Sequence, residues 1–171
     1  MKLLRQHDDR FEFRFARREQ EVFRNVLEAF PVTPPEHHQL RRRQPRDDAD
    51  PDQALLSQSM ASLTAEWRRR ITTFLANEKR FVRDGSGSRL TLNREEIEWL
   101  LCVLNDVRVG SWVGLGCPDA EGGEKSESAA ASPTPDRVRH MVLMEVAAHF
   151  QYSLLAAVDG TSGVGWGGRA E

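Results

Sequence analysis

Cysteine and tyrosine are scarce in this chain, with two and one, respectively, in 171 residues. Cys102 and Cys117 show neither metal-ligand spacing nor a Cys-x-x-Cys redox pattern, so thiol-based metal or redox chemistry has no motif here. Two unpaired thiols fit a reducing compartment, and cytoplasm is the expected location. Met1 to Asp9 lack the apolar stretch of a signal peptide. No segment reaches the roughly 20 apolar residues that a bilayer span needs, so no membrane role is expected. An excess of one charge is missing too. Lysine and arginine number 24 against 26 aspartates and glutamates, a net charge of −2, which gives no general attraction to nucleic acid or anionic membrane. The glycines between Gly160 and Gly168 lack a following Lys-Ser/Thr and a βα context, which argues against a phosphate cradle. No internal repeat and no catalytic or cofactor motif is present, and no cofactor is expected.

What the sequence does have is amphipathic periodicity. Phe11-Glu12-Phe13-Arg14-Phe15 alternates like a short strand, and Leu90-Thr91-Leu92 does the same after the turn signal Asp84-Gly85-Ser86-Gly87-Ser88. These two pair, or the first folds back on Leu3-Leu4. Four helices are expected. The first runs over 17–30, with Val22, Phe23, Val26, Leu27 and Phe30 as its stripe, and Pro31 stops it. The second runs over 52–83, where Leu56, Met60, Leu63, Trp67, Ile71, Phe74 and Phe81 fall within about 80° of one another. Asn93 with Glu96 opens the third, whose stripe is Ile97, Leu101, Leu104, Trp112 and Leu115. The fourth begins near Asp136 and ends near Gly160; apolar residues surround it, so it belongs in the middle of a bundle. Between these lie a polar, proline-containing loop over 32–52, a linker over 117–135 whose composition predicts disorder, and a flexible Gly-rich tail over 161–171. The reading is a mainly α, four-helix, bundle-like single domain over 1–160 with a minor N-terminal β element.

Leu104-Asn105-Asp106-Val107-Arg108, followed by Gly114-Leu115-Gly116, resembles a motif of a small bacterial family known only as a domain of unknown function. The likeness extends loosely over residues 11–158, through the Glu19-x-x-Val22-Phe23 helix and the order of the remaining elements. It implies an all-helical cytoplasmic protein. The family's genes often lie near that of the adaptor of the Clp protease, which implies a role in protein handling or turnover. The chain departs from the family pattern at Ser111-Trp112 and in its tail.

Three polar residues stand out. Arg108 falls in line with Leu101, Leu104 and Trp112, while Glu145 and His149 share the face of Val138, Val142 and Tyr152. Were those faces to meet, the three would converge inside the bundle, either as a buried ion pair with a satisfied histidine or as a ligand or proton-transfer site. The buried pair is the simpler expectation. Asn105 and Asp106 are the family-like residues, with Asp106 capping or pairing within the fold, or recognising a partner. No metal site is expected: Glu145 and His149 give two ligands without the Glu-x-x-His repeats of di-iron bundles, and His37-His38 sits in a loop. Arg41-Arg42-Arg43 and Arg68-Arg69-Arg70 could meet phosphates, but no nucleic-acid-binding motif accompanies them, and nearby aspartates offset the first run. These features suggest a non-enzymatic interaction or regulatory protein with a protein partner. The alternatives are a ligand binder or enzyme built on the Arg/Glu/His cluster, and a nucleic-acid binder built on the arginine runs.

Overall fold

The computed structural model describes residues 1–33, 51–116 and 134–160. In chain order these form β1 (Lys2–His7), β2 (Arg10–Ala16), α1 (Arg17–Glu28), α2 (Pro51–Ala76), a short 3-10 turn (Glu78–Arg80), β3 (Phe81–Asp84), β4 (Gly87–Asn93), α3 (Arg94–Gly114) and α4 (Pro135–Val158). The strands form one antiparallel sheet in the order β1-β2-β4-β3. The protein is therefore a mixed α and β structure, which corrects both the expected mainly α, four-helix, bundle-like fold with a minor β element and the all-helical fold that the family resemblance implies. The expected polar loop, linker and tail lie outside the described residues apart from their ends, as do His37-His38, Arg41-Arg42-Arg43 and Cys117.

Two tight hairpins build the sheet. His7 faces Arg10 across Asp8-Asp9, with Asp8 at φ 52°, and Asp84 faces Gly87 across Gly85-Ser86, with Gly85 at φ 59°. Two-residue hairpin loops need a positive φ, which glycine supplies without strain and aspartate tolerates. The second hairpin ends α2 earlier than the sequence pattern suggests. Phe81 sits in the helical arc of α2, yet it belongs to β3 and faces Leu90. Both pairings considered for Phe11–Phe15 occur together. β2 pairs with β1 on one side, past a register shift between Leu3 and Arg5, and with β4 on the other.

The alternation in β2 decides what each sheet face meets. Phe11, Phe13 and Phe15 are fully buried with Leu90 and Leu92, and all four helices contribute to the same core. Phe15, Phe23 of α1 and Phe150 of α4 meet with ring centroids 4.9–6.3 Å apart, close enough for favourable tilted and edge contacts. The opposite face carries Arg10, Glu12 and Arg14 and, from the neighbouring strands, Lys2, Arg5 and Arg89. Glu12 is its acidic centre: Arg5 Nε donates to one carboxylate oxygen and Arg89 Nη1 donates to the other at 2.9 Å. These partners, Arg5 foremost, hold its carboxyl below the usual range against the opposing cost of desolvation.

α3 opens as its sequence predicts, with Asn93 Oδ1 accepting from the Glu96 N–H at 2.8 Å and the Glu96 carboxylate accepting from the Asn93 N–H at 3.0 Å. α3 and α4 run antiparallel. Gly114 lies against the His140 ring, and Gln151 Nε2 donates to the Leu101 carbonyl at 3.3 Å. α2 is buried most deeply near its C-terminal end, at Ile71, Phe74 and Leu75, with Trp67 half-buried against Phe30; toward its N-terminus Leu55 is 64% exposed. The long seam expected along it is thus a short one. Of the Arg68-Arg69-Arg70 run, Arg70 stacks 4.5 Å over Trp99 and pairs with Glu95, while Arg68 and Arg69 face solvent.

Candidate interaction face

Arg108, Glu145 and His149 do not converge. Arg108 is exposed and donates to Asn105 Oδ1 one turn back at 3.2 Å. The core side of α3 carries Leu100, Val103, Leu104, Val107, Gly110 and Ser111. That side is rotated from the stripe read in the sequence by about 80–90° at 100° per residue, and the rotation turns Arg108 outward. Glu145 and His149 do share a face of α4, as expected, but that face is also exposed. The buried ion pair is therefore a misreading, and the enzyme or ligand-binding alternative loses the cluster on which it was built. Among the described residues, no group of three His, Cys, Asp or Glu side chains is placed to hold a metal ion.

Asp106 has an internal task. Its Oδ1 accepts from the Val32 N–H at 2.8 Å and from the Thr33 N–H at 3.4 Å, and its carbonyl accepts from Thr33 Oγ1 at 3.2 Å. The chain leaving α1 is thus strapped onto α3. Gly110 completes the strap, because a Cβ there would lie 2.3 Å from the Thr33 nitrogen. Beside the strap, Phe30, Val32, Met60, Leu63 and Trp67 line an apolar groove of about 800 Å³. It opens between the strap and the outlying half of α2, and neither Arg108, Glu145 nor His149 lines it.

The feature that needs explanation is α4. Leu143, Ala147, Phe150, Leu154 and Ala157 face the core. The outward side carries Val138, Met141, Val142, Tyr152 and Leu155, which are 44–55% exposed. Five large apolar side chains share the exposed side of one helix, and apolar patches on soluble proteins mark interaction sites. The same composition gives α4 a mean hydropathy of 1.4 over its most apolar 18-residue window, enough by length and composition to cross a membrane. This qualifies the expectation that no segment would reach that measure, and the docking of one side of α4 into the core accounts for part of its apolar content.

Two polar groups interrupt the patch. Glu145 forms no ion pair among the described residues. His149 Nε2 lies 3.5 Å from Glu19 Oε1, and its ring packs edge-on against Phe150 at 5.3 Å. Glu19 also accepts from the Ala16 N–H at 3.2 Å and contacts the Met1 amine. Desolvation, then the nearby Met1 ammonium, lowers the His149 pKa from its usual value and favours the neutral imidazole. The patch was partly legible in sequence. A helix apolar all round suggests burial, but two ionisable residues four apart on one of its faces mark the side that meets water.

Comparisons with family models, with curated proteins and with solved structures give no match for this chain. The family resemblance of the Leu-Asn-Asp segment thus has no independent support.

Proposed function

We propose that the protein is a non-enzymatic docking module whose partner binds the outward face of α4. The carrying observation is that Val138, Met141, Val142, Tyr152 and Leu155 are exposed together on one helix whose other side is core. Covering them would remove apolar area from water at about 25 cal/mol per Å². Tyrosine is a frequent anchor at such sites because it combines a large apolar ring with a polar tip. A cytoplasmic setting, expected from the cysteines and the N-terminal composition, and a link to protein turnover, implied by the family resemblance alone, belong to this proposal.

The test compares the wild-type chain with the double variant Met141→Asp, Tyr152→Asp as bait in affinity purification from the native cell. Both substitutions sit on solvated positions, so thermal unfolding should be nearly unchanged. Proteins retained by the wild type should be lost with the variant. Retention of the same proteins by both baits would place the docking surface elsewhere.

A further inference from the structure

We infer that the occupant of the α4 face is a second copy of this chain, with the two α4 helices packed antiparallel about a two-fold axis level with Ala147. This rests on the reading of that face as a docking surface and goes further by naming the partner. In an antiparallel pair centred on position 147, residue 147 − n of one copy lies level with residue 147 + n of the other. Glu145 then faces His149 of the second copy, and Val142 faces Tyr152. Two-fold symmetry makes each contact twice, as an isologous interface requires.

The register follows from the polar groups. An axis level with Glu145 would oppose two carboxylates, and one level with His149 would oppose two imidazoles, so both forfeit an acceptor–donor match. Only the intermediate register sets each carboxylate against an imidazole, whose second nitrogen, the one not directed at Glu19, donates to it when the added carboxylate draws a proton onto the ring. Within one chain Glu145 has no ion-pairing partner among the described residues, and only one nitrogen of His149 approaches a carboxylate, that of Glu19. A lone carboxylate in an apolar patch opposes burial, whereas one met by a donor from the other copy is compensated and specifies alignment.

The area available sets the strength. α4 spans about 36 Å with a width of about 10 Å. That gives roughly 700 Å² for two copies, below the roughly 1,200 Å² at which specific interfaces become stable. The dimer is therefore weak and concentration-dependent.

The test is sedimentation equilibrium over a wide concentration range on the wild type, on Glu145→Lys, on His149→Glu and on an equimolar mixture of the two variants. Each variant alone should weaken association about tenfold or more, the first by removing the carboxylate that pairs with the protonated imidazole and putting a cation in its place, the second by opposing two carboxylates. In the mixture the introduced cation meets the introduced carboxylate while the native pair is kept, so association should return to within about threefold of wild type. His149→Glu places a carboxylate near Glu19, so thermal unfolding is checked. If that variant fails to fold, Val142→Lys with Tyr152→Glu tests the same register by the same mixing. A wild type that stays monomeric throughout overturns the proposal, as does a dimer indifferent to the substitutions or one the mixture does not restore. If the chain is monomeric but its α4 double variant still loses a cellular protein, or loses adhesion to lipid vesicles, the docking face stands with a different occupant. If the double variant loses nothing, the docking reading falls as well.

Discussion

Asp106 and Gly110 show how a sequence signal can be structural. One turn apart on α3, they fix the backbone of Val32 and Thr33, the first by accepting two N–H groups and the second by having no side chain. The Leu-Asn-Asp segment that resembles a family motif thus has a reason to persist that requires no partner. Gly110→Ala should lower the urea midpoint by the equivalent of about 1–3 kcal/mol, since backbone atoms must move to admit the methyl. An unchanged midpoint would show that the strap yields freely. Glu12 gives a pH signature. Its carboxyl is held below 4.5 in the folded chain, so it contributes stability that is present above that pH and lost as pH falls through the lowered value. Glu12→Gln should destabilise by about 1–2 kcal/mol at neutral pH, with the exposed Arg5 limiting the effect. The gap to wild type should close in acid. A gap that stays constant from pH 7 to 3 would mean that Arg5 and Arg89 do not hold the charge.

The elements divide by how far local chemistry determines them. α1, the capping box of α3 and the start of α4 are written in adjacent residues, and the sequence predicts them well. The sheet is less legible because β1 and β3 are short and mostly exposed, and because Phe81 fits the helical period of α2 as well as a strand. The rotation of α3 and the outward face of α4 depend on what each helix packs against, which periodicity does not encode for a helix apolar on several sides. α2 makes the distinction measurable. Phe74 is 5% exposed and meets Phe81 and Trp99, so Phe74→Ala should cost about 3–5 kcal/mol. Leu55→Ala, on the outlying half, should fall within about 0.5 kcal/mol of wild type. Comparable losses from the two, by denaturant midpoint, would mean that the N-terminal half of α2 is packed in solution.

At the scale of the whole molecule, the central position of β2 sets the architecture. Residues 1–33 contribute β1, β2 and α1, while β4, β3 and the remaining helices come from residue 51 onward, so the core closes only when the two parts meet. Separate polypeptides 1–33 and 51–171 should accordingly be unfolded alone and recover helical and sheet circular dichroism when mixed. Structure in 51–171 by itself, with protected amides in α3, would show that the first part is dispensable. The same arrangement bears on synthesis. β2, with its three phenylalanines, leaves the ribosome 73 residues ahead of its cross-strand partner, the separation of Phe15 and Ser88. At about 5–20 residues per second that is a delay of roughly 4–15 s. During that interval a greasy, half-paired strand is available to chaperones or to other nascent chains, so expression yield should respond to the speed of translation between α1 and β4 more than to the stability of the finished fold.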